Sequence, residues 1–194
     1  MNLVAHQYLS FNNPALQIGN LLGENVKGNK YLIYPEEIQK GILLHRAIDS
    51  FTDSHDVVKR STSYFHASQH KYAPIIIDIV YDYFLIKHWK TFHPTSFYIF
   101  KDNCYTLFAN NYENFPSKLQ YTLDYLLSQD WFENYSTLQG VQKTLNGISQ
   151  RASFPNELKN SLEEIKKNET DLEKDFLEFF PELVDFVKEF INSK

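Results

Sequence analysis

Two runs of acidic and imidazole side chains at helical spacing hold the reactive groups of this chain. His45, Asp49 and Asp53 follow one another at four-residue steps, and Asp78 and Asp82 repeat the step one segment later. Side chains four apart share a helix face, so each set forms a stripe. Both stripes lie in apolar sequence, one after Gly41-Ile-Leu-Leu44 and the other after Pro74-Ile-Ile-Ile77. A carboxylate directed at a core is costly unless something compensates it. Where carboxylates converge with histidine, the usual compensator is a divalent metal. A metal held by Asp and His between helices suits hydrolysis of phosphate esters.

Each residue admits a plainer reading. His45 and Asp49 have metal-ligand spacing, and an aspartate can also orient a liganding imidazole; a solvated face with a packed His45 is the alternative. Asp78 and Asp82 sit in Ile-Ile-Ile-Asp-Ile-Val-Tyr-Asp-Tyr-Phe-Leu, so their helix is expected to be central. Buried there, they need a metal, an arginine such as Arg46 or Arg151, or backbone donors. Glu24 closes Gly19-Asn-Leu-Leu-Gly-Glu, as a helix C-terminus or as a ligand beside closely approaching backbone. On pattern alone His6 reads as a core histidine and His55 as a turn cap. His66, His70, His88 and His93 read as scattered and exposed. Cys104 reads as a small core residue rather than a reactive thiol.

Other chemistries are excluded by what is missing. There is no Walker-type loop, no Rossmann fingerprint and no Gly-x-Ser-x-Gly elbow. One cysteine rules out a paired-cysteine zinc site and an intrachain disulfide. What remains is metal-assisted hydrolysis with oxygen and imidazole ligands, suited to Mn²⁺ or Mg²⁺.

The elements that must position these groups are helical. Apolar residues recur every three or four positions, and we read about seven to nine helices in a single all-α domain spanning residues 1–194. Asn12 or Asn13 caps a helix with Pro14 in its first turn, running to about Val26. A loop follows over 24–34, then a helix opened by Pro35, a short one after His55, and a long apolar one over about 70–90. Thr95 or Ser96, Pro116, and Ser136 or Thr137 start the next three. The tail from Pro155 reads as one or two amphipathic helices, with Phe176, Phe179, Phe180, Phe186 and Phe190 as the apolar face and Pro181 breaking or restarting it. The chain of 194 residues is 43% hydrophobic with a formal net charge of −5, which favours neither nucleic acid nor an anionic membrane. No signal peptide and no apolar run of ~18 residues is present, so a cytoplasmic protein without a membrane span is expected. Lys27, Lys30, Arg46, Lys59, Arg60 and Lys71 give the striped half a local basic character.

Several segments, in order and spacing, resemble the acyl carrier protein phosphodiesterase family, a family similar to distant HD-type metal phosphohydrolases. They are Asn2-Leu-Val-Ala-His6, Gly19-Asn-Leu-Leu-Gly-Glu24, Val26-Lys-Gly28, Gly41-Ile-Leu-Leu-His-Arg-Ala-Ile-Asp49, Phe51-Thr-Asp-Ser-His55, Asp78-Ile-Val-Tyr-Asp82, His88-Trp89 and Leu145-Asn-Gly-Ile-Ser-Gln-Arg151. The resemblance implies an all-helical, HD-domain-like fold, Mn²⁺, and removal of 4′-phosphopantetheine from holo-acyl carrier protein. His6, His45, Asp49, Asp53, Asp78 and Asp82 would then build the metal and phosphate site. The family usually has Asp where this chain has Glu24, and commonly His where it has Tyr83. On this reading His6, Glu24, His45, Asp49 and Asp53 hold metal. Asp78, Asp82 and Arg46 serve catalysis, Arg46 by neutralising the phosphate oxygens. Lys27, Lys30, Lys59 and Arg60 meet the acidic carrier. The alternatives are hydrolysis of another phosphodiester or nucleotide, and a non-catalytic binder of the phosphopantetheine arm.

Overall fold

In the computed structural model, which describes residues 1–193, the helical period holds from end to end. The helices are α1 (Leu3–Tyr8), α2 (Pro14–Gly23), α3 (Glu36–Ser54), α4 (Asp56–Ser63), α5 (His66–Gln69), α6 (Ala73–Lys87), α7 (Trp89–Phe92), α8 (Phe97–Asn110), α9 (Ser117–Ser128), α10 (Trp131–Asn134), α11 (Leu138–Arg151), α12 (Ser161–Lys167) and α13 (Glu169–Asn192). The described residues thus hold thirteen α-helices and no strand, an all-α fold. Eight helices have eight or more residues, the number expected from periodicity. The others are too short for apolar recurrence to reveal. Among the described residues no helix is long and apolar enough to cross a membrane.

Caps fall where the sequence places them. The side chains of Asn13, Ser96 and Thr137 accept from the first-turn N–H groups of α2, α8 and α11. His55 Nδ1 does the same for α4 through Val57 N.

α6 is the central rod, buried on most of its circumference, as its nearly unbroken apolar run requires. α2 and α3 cross at Gly19 and Gly41 at backbone contact. A Cβ on Gly19 would stand 2.6 Å from Gly41 Cα, closer than any side chain tolerates. This crossing sets the spacing at which Asn20 on α2 meets His45 on α3.

α13 packs across α3, α4 and α6. It runs unbroken through Pro181, contrary to the expected break. The proline removes one N–H and costs about 3 kcal/mol. Phe176, Phe179, Phe180 and Leu183 are fully buried on the core side, and each contributes roughly 1.5–3 kcal/mol. The burial outweighs the proline. Leu177, whose carbonyl loses the donor, lies toward solvent.

Candidate metal centre

Three side chains from two helices meet at one point. His6 comes from α1, and His45 and Asp49 come from successive turns of α3. The imidazoles stack with centroids 4.3 Å apart. His6 Nε2 lies 3.1 Å from Asp49 Oδ1, and His45 Nε2 lies 3.2 Å from Asp49 Oδ2. One ligand atom from each residue can be chosen so that all three lie within 4.8 Å of one another. Both imidazoles are buried, while Asp49 is partly open to solvent. Gly23 makes room for the second ring, since a Cβ there would stand 2.7 Å from His45 Cδ2 and closer still to its neighbouring atoms.

Asn20, which the sequence reading did not single out, determines what these histidines can do. Its Nδ2 donates to His6 O at 2.8 Å and to Ser10 Oγ at 3.2 Å. A carbonyl only accepts, so the amide orientation is settled and Oδ1 faces the rings. His6 Nδ1 at 2.7 Å and His45 Nδ1 at 3.1 Å must therefore both donate to Asn20 Oδ1. In the neutral rings both Nε2 atoms carry lone pairs, and both point at carboxylate oxygens of Asp49. Acceptors facing acceptors repel unless a cation or added protons lie between them. Burial lowers the His6 pKa despite Asp49 beside it, which opposes the protonated alternative. Two imidazoles and a carboxylate, with tautomers locked by an amide, fit a divalent metal.

The remaining expected residues divide. Glu24 stands at the mouth, half exposed, its Oε1 3.9 Å from His45 Nε2. Asp53 lies one turn beyond Asp49 on α3 and lines a cavity of about 280 Å³ together with Asp78, Lys59 and His66. Burial raises its pKa, countered by the Met1 ammonium and reinforced by Asp78 and Asp49. Asp78 Oδ1 is 2.9 Å from that ammonium.

Asp82 is not part of the cluster. It is fully buried on α6, accepting from Val4 N at 2.8 Å and Ala5 N at 3.1 Å. It caps α1 from another helix, a service Asn2 at the cap position does not perform with its own side chain. Burial pushes its pKa up to about 7 against these two donors. Both oxygens are taken, so it holds α1, and with it His6, in place rather than meeting a substrate as expected.

Arg46 Nη2 donates to Val26 O at 3.0 Å and Gly28 O at 2.7 Å, and its guanidinium lies over Tyr31. It tethers the 26–31 loop instead of facing the cluster. Arg60 is committed elsewhere, with Nε 2.8 Å and Nη2 2.6 Å from buried Asp175 Oδ1, and Nη2 2.7 Å from Glu178. Lys27 and Lys30 are exposed, and Lys59 makes only a surface pair with Asp56. Tyr83 donates to Glu169 on α13 and is outside the cluster. His88, expected to be exposed, is half buried against Glu173. Cys104 is buried, its thiol pushed up to about 12 by burial, in keeping with a core role.

Fold and site together define an all-helical protein with a candidate His₂Asp metal centre between α1 and α3. The acyl carrier protein phosphodiesterase family model matches residues 1–183. Similar proteins named acyl carrier protein phosphodiesterase include those of Yersinia pestis, 32% identical, and of Enterobacter sp. (strain 638), 30% identical. In both comparisons 185 residues align, covering 95% of this chain and 96% of the relative. The chain belongs to the acyl carrier protein phosphodiesterase family. No solved structure matches it.

Proposed function

We propose that this protein hydrolyses the phosphodiester joining 4′-phosphopantetheine to the serine of holo-acyl carrier protein, using a divalent cation held by His6, His45 and Asp49. The observation that carries this reading is the pair of Nε2 lone pairs aimed at Asp49, a donor set that needs a cation. Two imidazoles favour Mn²⁺ over Mg²⁺, whose preferred ligands are oxygens. A cation at this point supplies hydroxide near neutral pH and offsets charge on the phosphate. Asn20 keeps both Nε2 atoms free of protons, and Glu24 Oε1 lies 3.9 Å from one of them, that of His45. The oxygen of a water adds to phosphorus, the bond from phosphorus to the serine oxygen breaks, and the proton that water gives up ends on the serine oxygen. The products are the apo carrier and 4′-phosphopantetheine.

Docking falls to the 27–33 segment. Lys27 and Lys30 are exposed beside Leu32 and Ile33, which are 58% and 82% exposed, a mixed basic and apolar surface suited to an acidic partner. Arg46 fixes this segment through Val26 and Gly28. Lys59 extends the surface along the Asp53 cavity, whereas Arg60 is spent within the fold.

Mass spectrometry of holo carrier incubated with the protein and Mn²⁺ tests the reading. Loss of the 4′-phosphopantetheine mass is expected, abolished by chelation and by Asp49→Asn. Full cleavage by Asp49→Asn, or by chelated protein, would overturn it. Lys27→Glu with Lys30→Glu should raise KM for the carrier about tenfold, roughly 1.4 kcal/mol, and leave kcat in place.

A further inference from the structure

A cleft that shares Asp78 with the Asp53 cavity is not used by the reaction described above. It lies between the start of α1, one side of α6, α10 and α11, and encloses about 190 Å³. Its charged lining is Asp78, Lys143 and Arg151, and Asn2, Trp131 and Asn134 complete the part that matters here.

The chain has three arginines. Arg46 and Arg60 are committed to backbone carbonyls and carboxylates. Arg151 makes no hydrogen bond or ion pair among the described residues. Lys143 has only Asn134 Oδ1, at 3.4 Å. Both are exposed side chains at the cleft with no carboxylate partner among the described residues, which leaves room for an anion. A guanidinium offers the fork that matches phosphate oxygens. The nearby carboxylate, Asp78, is engaged by the Met1 ammonium and does not neutralise them. Asp78 also lines the Asp53 cavity, so the cleft adjoins that cavity. Beyond Arg151 a groove continues past Ile75 and Ile148 to exposed Phe154.

We infer that this cleft seats a phosphorylated, amide-bearing chain, with its phosphate paired to Arg151 and Lys143 and the adjoining chain against Trp131 and the Asn2 and Asn134 amides. The inference rests on the proposed function and assigns a place to the released arm once its phosphate, the one attacked at the candidate centre, has left the carrier serine.

Trp131 lines the cleft while Trp89, the other tryptophan, is buried at 4% exposure, so fluorescence reports occupancy. Full-length, chelated protein is titrated with 4′-phosphopantetheine, pantetheine and inorganic phosphate, with Trp131→Phe to identify the signal. Saturable quenching by 4′-phosphopantetheine is expected. Affinity should fall at least tenfold for pantetheine, tenfold or more for Arg151→Ala and Lys143→Ala, and less for Arg151→Lys. Among the described residues Arg151 makes no hydrogen bond and Lys143 one weak contact, so circular dichroism should show the folded state in each variant. Unchanged affinity in both alanine variants overturns the assignment, as does equal binding of inorganic phosphate, which makes the cleft a site for a bare anion. Phosphate-dependent quenching lost in Arg151→Ala, in a protein that fails to cleave the carrier, would remove the proposed reaction and keep this site. Normal cleavage with quenching indifferent to both variants would do the reverse.

Discussion

Replacing Asn20 with alanine isolates the device on which the metal centre depends. In the native site Asn20 Oδ1 accepts from His6 Nδ1 and His45 Nδ1, and its amide is oriented by His6 O and Ser10 Oγ. Without it, each ring can move its proton to Nε2 and donate to Asp49, 3.1 and 3.2 Å away. That rearrangement satisfies the rings and limits the loss of stability in metal-free protein. An unpaired buried polar group costs about 1–3 kcal/mol, and with this relief a net loss of roughly 1–2 kcal/mol is expected. In a chain of this size that is about 2–8 °C in Tm. The same rearrangement removes the Nε2 lone pairs from the metal position. Loss of a partner that orients a liganding imidazole lowers metal affinity roughly 10–100-fold, or about 1.4–2.7 kcal/mol. Calorimetric titration with Mn²⁺ measures the affinity, and histidine ¹⁵N spectra report which nitrogen carries the proton. The expected spectra show protonated Nδ1 in the native metal-free protein and protonated Nε2 in Asn20→Ala. Native affinity in the variant, or Nε2–H already present in the native chain, would refute the argument.

Three further outcomes follow from other parts of the structure. Gly23→Ala drives a methyl into the His45 ring, so Mn²⁺ affinity should fall at least tenfold at a stability cost of about 1–3 kcal/mol, read by calorimetry and urea unfolding. Arg60→Met strips the charged partner from buried Asp175, leaving only the Ser61 hydroxyl on that carboxylate; it should cost roughly 2–3 kcal/mol by urea unfolding, with KM for the carrier unchanged. A docking role for Arg60 would instead raise KM with stability kept. Burial pushes the Asp82 carboxyl up to about 7 in the folded chain, from about 3.9 when unfolded. Between these values the folded state holds a proton that the unfolded state has released. Its contribution is therefore complete below about pH 4, declines as pH rises toward 7 and levels off above. Urea unfolding of chelated protein from pH 4.5 to 8 should show this decline, and Asp82→Asn should lack it; equal slopes for the two would count against a buried, proton-holding Asp82.

The sequence by itself determined the eight longer helices and the pairing of His45 with Asp49. A step of four along one helix is local geometry, and caps at Asn13, Ser96 and Thr137 act within a few residues of themselves. The family was also legible, in motifs spread from Asn2 to Arg151. The fate of the second stripe was not. Asp78 and Asp82 share a helix face whatever surrounds them, but only the docking of α1 on α6 decided that Asp82 caps a helix start 77 and 78 residues away. The same holds for Arg46 and Arg60, whose charge is visible in the chain while their counter-groups depend on loop and α13 placement. Asn20 carried one local signal, its position between Gly19 and Gly23, where backbones come close. Its role needed three helices brought together, because a tautomer lock consists of distances between α1, α2 and α3, and spacing along one chain does not encode them.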